Sequence, residues 1–264
     1  TLKFVQNRLI FLPYRLIEQT PHHFGLPYEE VWISVLNRKG KVERLHGWWI
    51  PSNDLNRKVL LYLHGNRGNI SFNLEKAQGF QKMGFSVLLI DYRGYGRSLG
   101  QFPTEAEVYR DSQIAWQYLV EQRQINPQDI FIYGHSLGGA IAIDLAVRQP
   151  QAAGLIVEGS FTSMESMALH RPKYRFFPIK LILTQRFDSL QKLELLKVPL
   201  LLIHGKADQV VPYSMSQVLF EQAKVAKKLL IVENAGHTNV FSFDQTQYRQ
   251  AVQEFVRMSS QILL

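Results

Sequence analysis

Six short runs of consecutive apolar residues punctuate the chain: Lys58–Leu63 (KVLLYL), Phe85–Ile90 (FSVLLI), Ile130–Tyr133, Leu155–Val157, Pro199–Ile203 (PLLLI) and Leu229–Val232 (LLIV). A run that is apolar at both odd and even positions suits a strand buried on both faces, as in a parallel sheet covered by helices. Helical spacing predicts helices over Ser71–Met83, Thr104–Gln122, Ser136–Arg148, Tyr213–Lys224 and Phe243–Met258. Upstream, Glu30–Leu36 and Val42–Ile50 flank the turn-like Asn37-Arg38-Lys39-Gly40 and predict a hairpin. A polar, loop-like stretch from Pro51 to Arg57 follows it. Strands alternating with helices predict an α/β fold with a mostly parallel central sheet and helices on both faces. One interval breaks the rhythm. Residues Phe161 to Lys197 carry Met164, Met167, Tyr174, Phe176, Phe177 and Leu181 among basic residues, with no clear strand. The interval is too long for a strand-to-helix link and reads as a small helical insertion.

Composition narrows the function classes. Hydrophobic residues make up 46% of the 264 and charged residues 20%, ordinary for a soluble globular domain. The absence of cysteine excludes disulfides, thiolate zinc sites and a cysteine nucleophile. A net charge of +8 favours an anionic partner. The Lys and Arg residues are spread along the chain without a nucleic-acid-binding motif, so no nucleic acid is expected and an anionic membrane surface is the better candidate. Residues 1–28 are expected to form an N-terminal arm and residues 29–264 the main domain. The arm mixes Leu, Phe and Ile with Lys3, Arg8 and Arg15. It suits a membrane-proximal amphipathic segment, the tail of an anchor, or an arm packed on the domain. A sequence that begins at Thr1 leaves room for something upstream.

The chemistry concentrates where the third apolar run meets its helix. In Gly134-His135-Ser136-Leu137-Gly138 the serine lies two residues from a glycine on each side. Alone, such a pentapeptide would occur by chance in roughly one chain of this length in ten. At a strand-to-helix junction it acquires meaning: a sharp turn there leaves no room for side chains at the glycines and raises the serine hydroxyl above the sheet edge. The helix start adds free N–H groups and partial positive charge where an oxyanion would need them.

A serine nucleophile needs a base oriented by a carboxylate. Of the downstream histidines, His237 follows the last predicted strand in Glu233-Asn234-Ala235-Gly236-His237, His204 closes PLLLIH, and His170 lies in the insertion. His237 fits best as the base, with His204 expected to turn inward. Asp208, in a turn after the penultimate strand, is the first candidate acid. Glu158, at the end of a strand, is the second, while Asp144 and Asp188 sit in a helix and in the insertion. A second oxyanion donor is expected from His64-Gly65-Asn66-Arg67-Gly68-Asn69, where the N–H of Asn66 pairs with that of Leu137. That loop lacks the Gly-Lys-Ser/Thr ending of a P-loop. In Gly94-Tyr95-Gly96-Arg97-Ser98-Leu99-Gly100 the last glycine comes one position late for a dinucleotide fingerprint. No nucleotide cofactor is expected.

Together LYLHGNRGN, DYRGYGRS, YGHSLGG, HGKADQVVP and NAGH resemble the small abhydrolase-domain serine hydrolases of the α/β-hydrolase superfamily. The resemblance covers about residues 29 to 258. That branch includes membrane-associated protein depalmitoylases and lysophospholipid or monoacylglycerol lipases. The resemblance implies a Ser136–His237–Asp208 triad, no metal, no cofactor and a helical cap at about 161–197 after the sixth strand. Members often carry an N-terminal signal anchor, which would suit a sequence starting at Thr1. The expected activity is hydrolysis of an ester or thioester in a small acyl or lipid substrate, with membrane association through the N-terminus and otherwise a cytoplasmic location. An acyltransferase using the same residues, or a binding module that has lost the chemistry, are the alternatives. Peptidase activity is disfavoured, since nothing marks a peptide-docking domain.

Overall fold

The structure, a computed structural model, describes residues 2–37, 39–52, 54, 58–171 and 177–262, with side chains from residue 5 onward. Thr1, Arg38, Arg57, Tyr174 and Phe176, singled out above, and the basic Lys173 and Arg175 of the same interval lie outside the described residues. Eight strands form one sheet: β1 (Glu29–Leu36), β2 (Val42–Ile50), β3 (Val59–Leu63), β4 (Ser86–Ile90), β5 (Ile130–His135), β6 (Gly154–Glu158), β7 (Leu200–Gly205) and β8 (Lys227–Val232). Their order is β8-β7-β6-β5-β3-β4-β2-β1. β2 runs antiparallel to both its neighbours, and every other pair is parallel. This is an α/β-hydrolase fold.

The helices are α1 (Leu2–Ile10), α2 (Leu74–Lys82), α3 (Glu105–Gln117), α4 (Leu137–Arg148), α5 (Met164–Leu169), α6 (Ile179–Ile182), α7 (Ser189–Leu193), α8 (Ser214–Gln222), α9 (Val240–Phe243) and α10 (Gln245–Ile262). Where bounds differ from the sequence reading, local hydrogen bonds explain it. The helix predicted from Ser71 opens as a 3-10 turn, because the Asn69 side chain accepts from the Ser71 N–H and closes a tight first turn. The one predicted over Thr104–Gln122 leaves α geometry at Gln117 and finishes as a wider π turn over Tyr118–Gln122. α10 starts at Gln245 rather than Phe243 because Asp244 accepts from the Gln247 N–H and caps it there. The interval 161–197 contains α5, α6 and α7.

Successive side chains of a strand point to opposite faces, so the core forms on both sides of the sheet. On one face Leu61, Leu88, Ile132, Val157 and Leu202 pack with Val108 and Trp116 of α3 and Ile141 of α4. On the other Leu60, Leu89, Tyr133, Ile156 and Leu201 pack with Phe80 of α2 and Phe255 of α10. That double burial explains the unbroken apolar runs. The N-terminal arm packs on the first face: Phe11 is fully buried there, and Leu12 and Pro13 pair in parallel with Arg67 and Gly68.

The junction of β5 and α4 is the tightest point of the fold. Ser136 alone separates them, with φ 55° and ψ −120°, a conformation that costs a non-glycine residue about 1–3 kcal/mol. It is held by its own N–H donating to the Glu158 carbonyl (2.8 Å) and by its carbonyl accepting from the Gly139 N–H (2.9 Å) and the Ser160 hydroxyl (2.8 Å). A β carbon on Gly134 would overlap the Gly138 carbonyl, and one on Gly138 would overlap the Leu63 carbonyl of β3.

Beneath this turn, on the face covered by α2 and α10, lies a buried charge pair. Glu158, fully buried at the end of β6, meets the Lys76 ammonium at 2.5 Å and accepts from the hydroxyls of Tyr133 (2.9 Å) and Tyr248 (2.7 Å). Burial favours the neutral acid, but Lys76, His135 and these hydrogen bonds outweigh it, and the carboxyl is held down at about 2.

Two predictions follow from this packing. A carboxylate with a depressed pKa stabilises the fold above its ordinary value, 4.5, and loses that contribution as pH falls toward about 2. Wild-type stability to urea is therefore expected to fall between those limits. Glu158→Gln should lack that acid-dependent loss and be weaker by about 3–5 kcal/mol at neutral pH, since it strands a buried ammonium. Gly138→Val should lower the melting temperature markedly, because the overlap with Leu63 forces β3 and α4 apart; a melting curve matching wild type would show that the turn has slack.

Candidate active site

Ser136, His237 and Asp208 reach one point above the sheet edge from three separate segments. The elbow presents Ser136. Asp208 follows β7, and His237 lies in the loop after β8. The last two are brought together because the loop after β8 is bonded to the turn after β7: Lys206 N–H donates to Val232 and Ala207 N–H to Ala235, both at 2.9 Å. The approach is so close that a β carbon on Gly205 would overlap the Ala235 carbonyl. The Gly236 N–H donates to Asn239 Oδ1 at 2.7 Å and fixes the far side of the loop.

His237 Nε2 is 3.0 Å from Ser136 Oγ and His237 Nδ1 is 2.7 Å from Asp208 Oδ2. An ionised carboxylate only accepts, so Nδ1 carries the proton and donates it to Asp208. Nε2 is left with its lone pair toward the serine hydroxyl. Asp208 Oδ1 accepts from the N–H groups of Val210 (2.7 Å) and Val211 (2.9 Å), and its side chain is fully buried. Burial pushes this carboxyl up, but hydrogen bonds from His204 and His237, the charge of His237 and the Val211 amide hold it well below the usual carboxylate range.

His204 is the residue whose part the sequence concealed. It turns inward, as expected, and is fully buried, yet its Nε2 lies 3.1 Å from Asp208 Oδ2 and 3.0 Å from the Val211 carbonyl. Both partners accept, so Nε2 is the protonated nitrogen, and Nδ1 accepts from the Ser216 hydroxyl at 2.7 Å. Asp208 thus receives imidazole N–H donors from two sides. The four-residue spacing of His204 and Asp208 across a turn was the available signal. His135 is a second such residue. Its ring packs beside that of His237, centroids 5.0 Å apart, and its Nε2 donates to the His237 carbonyl at 2.9 Å. Burial, and then Lys76, hold its pKa down at about 3, so it is neutral.

The other residues weighed from sequence lie apart. Glu158 is committed to Lys76 on the opposite face. Asp144 pairs with Arg148 and Lys192, and Asp188 caps α7 by accepting from the Gln191 N–H. His170 is exposed at the end of α5 and makes no bond to Ser136 or Asp208 among the described residues. Leu137 opens α4 directly after Ser136. The loop of Asn66 comes close as well: a β carbon on Gly65 would sit 3.4 Å from Ser136 Cβ. Among the described residues no hydrogen bond engages the N–H of Asn66 or of Leu137. No group of three or more metal-ligating side chains occurs among them either.

Known proteins share both this architecture and its sequence. The family described as serine aminopeptidase S33 (Hydrolase_4) matches residues 54–184 and 182–242. The chain is 34% identical over 213 residues to protein bem46 of Schizosaccharomyces pombe, covering 79% of this chain and 70% of that protein. It is 30% identical over 222 residues to human alpha/beta hydrolase domain-containing protein 17B, covering 84% and 74%. Among solved structures, the Pyrococcus furiosus esterase Pf2001 superposes with a TM-score of 0.77 at 20% identity, covering 94% of this chain and 98% of that one. The last likeness is one of fold. A match over more than half of the sequence and relatives at 30% identity or above make the chain a hydrolase of the S33 family within the α/β hydrolases.

Proposed function

We propose that the protein is a serine hydrolase of carboxylic esters or thioesters in acyl or lipid-like substrates, with Ser136 as nucleophile, His237 as general base and Asp208 as the acid that orients it. The observation that carries this reading is the unbroken relay from Ser136 Oγ to His237 Nε2 (3.0 Å) and from His237 Nδ1 to Asp208 Oδ2 (2.7 Å), with the serine on a strained elbow. Ser136 Oγ passes its proton to His237 Nε2 as it attacks the acyl carbon. The oxyanion is received by the N–H groups of Leu137 and Asn66. His237 returns the proton to the leaving oxygen or sulfur, which departs and leaves an acyl-serine. Water then gives its proton to His237, attacks the same carbonyl, and releases the acid with the serine regenerated. Asp208 stays ionised throughout and stabilises the imidazolium that forms at each step. No cofactor or metal takes part in this scheme.

Exposed apolar residues among basic ones support an acyl substrate met at an anionic membrane. Leu181 of α6 is 86% exposed and Phe177 is also exposed, in an interval that carries the exposed basic residues Arg171 and Lys180. Val5 and Leu9, one helical turn apart, are exposed on α1. No helix among the described residues is long and apolar enough to cross a membrane. The partner proposed from these exposed apolar and basic residues is an anionic lipid surface. Each cation near such a surface adds about 1 kcal/mol of attraction.

A fluorophosphonate probe should label wild-type protein, and Ser136→Ala should neither label nor turn over. His237→Ala should lose activity almost as completely, by about 10^4-fold or more in kcat, with Asp208→Asn somewhat less affected. Full turnover by a folded Ser136→Ala protein would remove the mechanism. Parallel assays on p-nitrophenyl esters, thioesters and p-nitroanilides separate ester from amide hydrolysis, and added alcohol reveals acyl transfer.

For the membrane, the expectation is salt-sensitive co-sedimentation with anionic vesicles and a preference for medium or long acyl chains over acetyl. Equal binding to neutral and anionic vesicles, with acetyl esters preferred, would instead describe a hydrolase of small soluble esters.

A further inference from the structure

Residues 2–16 do more than cover the core. Residues 10–16 run along the loop that carries Asn66 and grip it at successive positions. The Leu12 N–H donates to the Asn66 carbonyl at 2.9 Å, and Asn66 Nδ2 donates to the Ile10 carbonyl at 2.9 Å. The Tyr14 N–H donates to the Gly68 carbonyl at 3.0 Å, and Asn69 Nδ2 donates to the carbonyls of Tyr14 (3.0 Å) and Leu16 (2.7 Å). The Asn66 carbonyl also accepts from the Tyr95 hydroxyl at 2.7 Å. Asn66 is therefore held through its side chain and its carbonyl, while its N–H is left unbonded among the described residues.

That arrangement sets where the free N–H points. The Gly65 carbonyl is engaged by His64 Nδ1 at 2.7 Å. In a trans peptide the C=O and the following N–H point in opposite directions. Fixing Gly65 O on one side and the Asn66–Arg67 peptide on the other fixes the direction of the Asn66 N–H, in a loop whose Gly65 lies so near Ser136 that a β carbon there would sit 3.4 Å from Ser136 Cβ. The same arm reaches the cap. Gln6 of α1, nearly buried, donates through Nε2 to the Ile182 carbonyl (2.7 Å) and accepts through Oε1 from the Thr184 N–H and hydroxyl (both 2.8 Å). Phe11 packs edge-on against Phe187, centroids 6.1 Å apart, where Phe187 holds a positive φ of 42° at the base of the cap.

We propose that residues 2–16 form a clamp that positions the oxyanion loop and couples it to the cap, with the Leu12 amide, the Ile10 carbonyl and Gln6 as positioning groups. The proposal rests on the serine-hydrolase reading. The clamp touches no reacting atom. It acts by keeping one backbone N–H aligned, which matters because a donor contributes only where the developing oxyanion will be. Misplacing such a group by about 1 Å costs on the order of 100-fold in rate. The exposed apolar side chains of α1 lie on the same helix as Gln6, so whatever engages that helix also bears on the loop.

The test compares wild type with Leu12→Pro, which deletes the N–H given to Asn66 at a half-exposed position, Asn66→Ala, which deletes the bond to Ile10, and the pair Gln6→Leu and Gln6→Glu. Steady-state kinetics on p-nitrophenyl butyrate and inhibition by butylboronic acid, whose tetrahedral adduct needs the same N–H donors, are read at a temperature where all melting curves show folded protein. The expected result is a fall in kcat of about 10- to 100-fold in Leu12→Pro and Asn66→Ala. KM should stay within about twofold, and boronate affinity should fall in step with kcat/KM. Gln6→Glu, which keeps the acceptor toward Thr184, should retain more activity than Gln6→Leu. Unchanged kcat in Leu12→Pro and Asn66→Ala, a loss confined to KM, or a lower kcat with undiminished boronate affinity would each overturn the clamp. Wild-type protein that neither labels with fluorophosphonate nor hydrolyses any acyl ester overturns both readings, whereas active wild type with unaltered variants overturns the clamp alone.

Discussion

The close approach of three backbones at the β5–α4 junction governs the rest of the molecule. Gly138 lies against the β3 carbonyl of Leu63 and Gly134 against Gly138 itself, so α4 leaves the sheet with no spacing for side chains. This contact forces Ser136 into a left-handed conformation, which the neighbouring strand stabilises through the Glu158 carbonyl and Ser160. The helix then crosses the sheet with ten consecutive buried residues, from Leu137 to Ala146. A strained residue persists where its surroundings over-determine it, and here strands on either side of β5 and the helix after it all contribute.

Around that fixed serine, the electrostatics divide between two carboxylates, each on its own side of the sheet. Asp208 is saturated by two amide and two imidazole donors and stays ionised without any lysine or arginine. Glu158 is equally buried but is matched to an ammonium and two phenols. The difference decides what each can do. A carboxylate bonded only to neutral groups retains its full attraction for an imidazolium, whereas one already paired with a lysine has little left to offer. His135 lies between the two environments: it is neutral, feels the charges of Lys76 and Glu158, and fixes the backbone of His237 through a hydrogen bond to its carbonyl.

The periphery is assembled by hydrogen bonds as well as by buried apolar contacts such as Phe11 on Phe187. Gln6 and Asn66 each join segments far apart in sequence, the arm to Ile182 and Thr184 in one case and the arm to the loop after β3 in the other. Amide side chains suit this because each offers both a donor and an acceptor. The exposed apolar residues of α1 and α6 are left outward, with cations near them, while the polar contacts lock the elements from beneath.

The continuous apolar runs were enough to reveal a sheet buried on both faces, because residues such as Leu60 and Leu61 must each find a separate core. Glycines flanking Ser136 at a strand-to-helix boundary likewise announced the elbow, since only a steric constraint places them there. Chain order gave Asp208 and His237 ahead of their competitors. Sequence could not show that Glu158 is taken by Lys76, for those residues are 82 positions apart and meet only where α2 packs onto the sheet. Nor could it show that His204 bonds the same carboxylate as His237, since that depends on how the turn after β7 folds back. The N-terminal arm was the most ambiguous: a mixture of apolar and basic residues is compatible with solvent, lipid or protein. Local sequence fixes periodicity and turn sterics, which are short-range. Which of several polar groups become partners depends on the packing of distant segments, and only the tertiary structure decided that Gln6, Ile10 and Leu12 would hold the cap and the Asn66 loop.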